Sequence, residues 1–176
     1  LEWLNKAGLA NIFWRQTAEE IKAEALKAAK KDENPSKEIA ALLPARKAFA
    51  NANENAAFKL VRGAILEGKV DITHPLGYGY SSDFLPMFRR SAKFMEKAQN
   101  SYSTPVVYTE SPLLSGYMSD ENQRLASKSA SLIVNVRADG AVVMALDRVA
   151  FRAFWWGTQR LLLNAIFFGA LIEEPN

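Results

Sequence analysis

Leu132-Ile133-Val134-Asn135-Val136-Arg137-Ala138-Asp139-Gly140-Ala141-Val142-Val143-Met144-Ala145-Leu146 is the stretch whose reading decides the fold. Two apolar, largely β-branched runs, 132–136 and 141–146, flank Asp139-Gly140. That dipeptide supplies the positive φ angles of a tight hairpin turn, and Leu132, Val134 and Val136 alternate with more polar neighbours. An antiparallel hairpin is expected. Downstream, Thr158 suits an N-cap, and Leu161, Leu162, Ala165, Ile166 and Phe168 recur at the spacing of a buried helical face. Gly169 suits that helix's C-terminal cap. Upstream, Thr104-Pro105-Val106-Val107-Tyr108-Thr109 reads as a strand, with a turn at Ser111-Pro112 leading into Ser115-Gly116-Tyr117.

The first half of the chain is helical and charged. Leu1 to Gly8 reads as a helix already under way without a cap before it, which predicts a chain that continues upstream. Nothing near the start combines a basic region with an apolar one, so these residues hold no signal peptide. Thr17 to Lys31 is rich in strong helix formers, and Thr17 with Glu20 fits a capping box. Its apolar stripe, Ile21, Ala25, Leu26 and Ala28, is thin enough to predict a surface helix. Asp32 to Ser36 breaks it, Lys37 to Phe49 suits a short helix interrupted at Pro44, and Ala56 to Arg62 suits another. Acidic residues alternate with the lysines throughout, which favours a solvated face over a nucleic-acid-binding helix. Periodicity leaves Ala64 to Ile72 open between helix and strand. His74 precedes Pro75 and should be extended, and Gly77-Tyr78-Gly79-Tyr80 reads as a loop of close backbone approach.

Composition narrows the chemistry. The 176 residues carry a net charge of +3 with 22 basic and 19 acidic side chains, too even a balance for a nucleic-acid partner. Cysteine is absent, which removes disulfides, thiolate metal sites and cysteine nucleophiles together. With His74 the single histidine, a histidine-rich zinc site has no ligands to draw on. The most apolar stretch, Leu161 to Ile172, is shorter than the roughly 20 residues a membrane span needs. No metal or catalytic set is therefore assigned to this chain.

Individual constellations have modest readings. Gly77-x-Gly79 lacks the third glycine of a dinucleotide fingerprint. His74 could act as a general base with Tyr78, Tyr80 or a serine, against the commoner role of a hydrogen-bonded structural residue. Arg89, Arg90 and Lys93 could grip an acidic partner or simply face water. Asp71, Asp83, Glu110, Asp120 and Glu121 include candidate acid–base pairs. Phe151, Phe154, Trp155 and Trp156 beside Arg152 could stack a sugar or a base, or form a packed corner between strand and helix.

Three blocks together resemble a known family: Val70 through Thr73-His74-Pro75-Leu76-Gly77-Tyr78-Gly79-Tyr80; Tyr108 through Ser115-Gly116-Tyr117; and Phe151-Arg152-Ala153-Phe154-Trp155-Trp156-Gly157-Thr158 with Leu161 through Asn164 to Gly169. The chain looks like the C-terminal, non-catalytic region of large bacterial zinc carboxypeptidases, a domain similar to class I glutamine amidotransferases. Leu1 to Ile12 resembles the helix after a central strand of that domain. The resemblance implies an α/β fold, a partial flavodoxin-like three-layer sandwich spanning 1–176 with the antiparallel hairpin near its C-terminal end, extended backbone over Gly63 to Ile72, and a charged helical insertion at 17–53. It implies zinc only in the parent's catalytic domain, a peptidase partner in cis, and a periplasmic or extracellular location. It assigns no catalytic role to His74, and the absence of cysteine excludes working amidotransferase chemistry. A domain cut this way should expose apolar surface and self-associate.

The leading expectation is thus an accessory domain of a zinc metallocarboxypeptidase, serving stability, interdomain packing or substrate access. The alternative is a small-ligand or carbohydrate-binding module built on Arg152, Phe154, Trp155 and Trp156, which requires those rings to be exposed. A hydrolase relying on His74 ranks below both.

Overall fold

Five strands form one curled antiparallel sheet in the order β2-β1-β3-β4-β5, where β1 is Ala64–Val70, β2 Phe84–Arg89, β3 Val106–Gly116, β4 Ala130–Arg137 and β5 Gly140–Ala145. The computed structural model describes residues 2–29, 46–137 and 140–173. Its helices are α1 (Glu2–Lys6), α2 (Ala18–Ala29), α3 (Ala52–Phe58), α4 (Asp120–Ala126) and α5 (Trp156–Phe168). Two compact units result, Leu1–Arg15 with Leu60–Asn176, and Gln16–Lys59.

The expected hairpin is present as β4 and β5, with Leu132 opposite Ala145 and Arg137 opposite Gly140. Gly140 thus pairs within the ladder, and Ala138 and Asp139 lie outside the described residues. The alternation along β4 does not separate core from solvent, because residues 130–134 are buried on both faces. Leu132 and Val134 join a core with Leu66, Leu85, Met87, Val106, Tyr108 and Leu161. Ile133 and Met144 join a second with Ala10, Ile12 and Met95. All four methionines, Met87, Met95, Met118 and Met144, lie in these cores, none more than 5% exposed.

Ala64–Val70 is a strand, which settles the open reading of that segment. The turn expected at Ser111-Pro112 is not found: β3 runs through it. Tyr108 faces Gly68 and Leu113 faces Leu66, so five steps along β3 oppose two along β1. Pro112, which has no N–H to give a ladder, sits inside that bulge. On β2, Pro86 occupies the sheet's edge, and the Trp155 indole N–H donates to its carbonyl at 3.1 Å.

The last helix departs from its expected form in two ways. It begins at Trp156, and Thr158 is not its cap but a buried residue in its first turn whose hydroxyl donates to the Val149 carbonyl at 2.6 Å. Leu162 and Ile166, expected inside, are 40% and 68% exposed. The buried face is narrow, formed by Thr158, Leu161 and Asn164, and it leaves Leu163 and Phe167 outside with them. Gly169 is the C-terminal cap, as expected, with its N–H donating to the Ala165 carbonyl, and it leads into a 3₁₀ turn, Gly169–Leu171.

The sheet and helices make a mixed α/β protein. The flavodoxin-like three-layer sandwich is not seen among the described residues: every ladder is antiparallel, whereas that fold needs parallel strands joined by crossover helices. No described helix is long and apolar enough to cross a membrane.

In the second unit, α2 carries the expected capping box: the Thr17 hydroxyl accepts from the Glu20 N–H and the Glu20 carboxylate accepts from the Thr17 N–H. Ile21 is exposed and Leu26 half-buried, as a surface helix requires. Glu19 meets Lys59 and Lys47, whose hydrogen bonds hold its carboxyl down at about 2. The helix expected at 56–62 lies earlier, at Ala52–Phe58. Residues 30–45, with the expected break and Pro44, lie outside the described residues.

Candidate functional site

Two of the three motif blocks meet across α5. His74 is the N-cap of a 3₁₀ turn, Pro75–Gly77, and its Nδ1 accepts the Leu76 N–H at 3.1 Å. The ring is therefore neutral there, and burial pulls its pKa below the ordinary histidine value, against the opposing pull of Asp71. A Cβ on Gly77 would lie 2.1 Å from the Asp71 carbonyl oxygen, and Gly79 has φ +82° beneath the Arg160 guanidinium, so both positions need glycine. The buried Asn164 amide donates to the Leu76 carbonyl at 2.8 Å and to the Tyr78 carbonyl at 2.9 Å. Tyr80 donates to the Gly157 carbonyl at 2.6 Å, and burial pushes its hydroxyl up to about 12. The Tyr78 ring packs edge-on against Phe168. Thr73, Pro75 and Leu76 complete a loop that α5 holds by its backbone carbonyls. Ser115 and Gly116 instead pair with Ile65 and Ala64 at the far end of β3, and Tyr117 is exposed beyond them.

A cleft of about 190 Å³ beside this loop is lined by Asp71, Thr73, His74, Tyr102, Ser103 and Glu173, among others. Asp71 accepts from the Thr73 N–H and hydroxyl, and the hydroxyl bond holds its carboxyl low. The other candidate carboxylates are dispersed: Asp83 pairs with Lys69, Glu110 with Lys128, and Asp120 and Glu121 open α4. Among the described residues no three metal-ligating side chains converge.

The arginine reading needs correction. Arg89 is not a surface cation but the largest fully buried side chain. It stands on β2, whose inward positions alternate as Leu85, Met87 and Arg89. Its Nη1 lies 3.5 Å from Asp147 Oδ1, its Nε donates to the Ser91 carbonyl at 2.8 Å, and its guanidinium lies 4.8 Å from the Phe94 ring centre. The other Asp147 oxygen accepts from Ser131 at 2.5 Å and from the Tyr108 hydroxyl. Burial pushes the Asp147 carboxyl up, opposed by Arg89 and both hydroxyls; burial and then Asp147 push the Tyr108 hydroxyl up. Sequence reading missed this network because its four members stand far apart in the chain, although an arginine at an inward position of an alternating strand was a visible signal.

Phe151 stacks on Phe88 at 4.3 Å between centroids, and Trp155, half-buried, lies 6.2 Å from Phe88. Phe154 and Trp156 are 58% and 76% exposed, so the aromatic corner is packed at its base and open at its rim. Arg152 lies over Phe151, with its backbone in the left-handed region at φ 50°. Comparison of the chain with family models, curated proteins and solved structures finds no match.

Proposed function

We propose that this chain is a non-catalytic accessory domain of a zinc metallocarboxypeptidase, whose parent removes C-terminal residues from peptides. The observation that carries the reading is the use to which the motif residues are put: His74, Tyr80 and Asn164 each form a fastening within the loop–helix clasp. Family motifs used this way suit a structural domain beside a working enzyme. In this reading zinc and its ligands belong to the parent's catalytic domain, and His74, whose Nδ1 accepts the Leu76 N–H, serves the loop instead. In this reading the antiparallel sheet is one part of a larger amidotransferase-like sandwich.

The apolar stripe of α5, Leu162, Leu163, Ile166 and Phe167, is the face this domain offers to the peptidase domain in cis. Reading the parent frame upstream of Leu1 tests the proposal: an H-x-x-E motif with a later histidine is expected, together with chelator-sensitive release of C-terminal residues by the whole protein. A frame without that motif overturns it.

The exposed rings of Phe154 and Trp156 favour a second reading, a module that stacks a small ligand or sugar at the aromatic corner. Quenching of tryptophan fluorescence by an oligosaccharide, lost in Trp156→Ala, would support it; no quenching by a panel of neutral sugars counts against it.

A further inference from the structure

One cleft outside the clasp collects an unusual amount of positive charge. An open hollow of about 480 Å³ is lined by Arg90, Arg148 and Arg152 together with Asp147, Val149, Ala150 and Phe151. Among the described residues none of these three arginines forms an ion pair. Asp147, the one acid at the wall, is already committed to Arg89, Ser131 and Tyr108, so it leaves the three charges uncompensated.

Local structure fixes the Arg152 guanidinium and the backbone of Arg148. The Arg152 guanidinium lies 5.3 Å from the Phe151 ring centre, and that ring is fixed by stacking on Phe88. Arg152 and Ala153 adopt consecutive left-handed conformations, φ 50° and 57°, which side chains with a Cβ adopt only at a cost. Arg148 is tethered through its backbone N–H to the Phe88 carbonyl at 3.3 Å. Planar guanidinium groups can each meet the paired oxygens of a carboxylate or phosphate, and three of them line this hollow.

We infer that the cleft between Arg90, Arg148 and Arg152 binds an oxyanion, the carboxylate or phosphate group of a small ligand. This is independent of the accessory-domain reading, whose test lies upstream of Leu1.

Isothermal titration of the chain at low ionic strength, with inorganic phosphate in one arm and acetate in the other, tests the inference. Saturable binding in either arm is expected, fading with added sodium chloride and weakened at least about tenfold by Arg148→Gln or Arg90→Gln. Tighter phosphate binding identifies a phosphate group and tighter acetate binding a carboxylate. Thermal unfolding of each variant should match the wild type, because these side chains are exposed; Arg152→Lys, which keeps the charge but not the planar fork, should weaken binding with the fold intact. No saturation in either arm, or binding unchanged in the Arg90→Gln/Arg148→Gln double variant, overturns the inference.

Discussion

The Arg89–Asp147 network and the Asn164 clasp are both buried polar fastenings, but one is charged and the other neutral. In the clasp, the Asn164 amide donates to two carbonyls of the 74–80 loop, and nothing ionised is removed from water. In the network, a guanidinium and a carboxylate sit in the sheet's core, and Arg89 Nη2 and Asp147 Oδ1 have no hydrogen-bond partner there. A neutral fastening loses little more than its own bonds when broken. A charged one leaves its partner stranded.

Breaking the network from one side should give the largest effect. Asp147→Ala leaves Arg89 buried without a counter-charge and should destabilise by about 3–5 kcal/mol, read as a lowered midpoint in urea. Arg89→Met with Asp147→Leu removes both charges and should recover much of that loss; a double variant as unstable as the single would mean the pair itself holds the sheet. Asn164→Ala, which orphans the Leu76 and Tyr78 carbonyls, should cost about 1–3 kcal/mol and raise amide exchange selectively in the 74–80 loop. Equal exchange across the sheet would break the distinction between the two regions.

A smaller effect comes from pH. His74 is held below its ordinary value in the fold, so the unfolded chain binds the extra proton first. The associated stability is complete above about pH 6.5 and is lost as pH falls through the lowered folded value. The loss should vanish in His74→Gln, measured by thermal unfolding between pH 7.5 and 5. The smallest change in monomer stability is expected for Ile166→Lys with Phe167→Ser, since both residues are largely exposed. Sedimentation should instead show reduced self-association of the isolated chain.

Local chemistry made much of this legible. The β4–β5 pair, the Thr17–Glu20 capping box and the close approach at Gly77 each depend on residues near one another in sequence, where propensity and turn geometry act directly. What misled was apolarity without a partner. Leu162 and Ile166 carry the spacing of a buried face, but the face that packs is set by Thr158 and Asn164, two polar residues whose partners, Val149, Leu76 and Tyr78, come from elsewhere in the chain. Ser111-Pro112 likewise reads as a turn until β1 supplies the neighbour that makes it a bulge. The clasp residues His74, Tyr80 and Asn164 were singled out as motif members, yet their hydrogen-bond roles come from the tertiary arrangement.

The burial of every methionine, in a chain without cysteine, has a consequence for oxidative chemistry. A peroxide molecule meeting the folded protein finds no sulfur at the surface, and a sulfoxide can form only when the cores open. Sulfoxide accumulation in this chain therefore counts openings, so the rate at which each methionine gains 16 mass units (the mass of one oxygen atom, about 16 by composition) is a clock for the separate breathing of its two cores: Met87 and Met118 for one, Met95 and Met144 for the other.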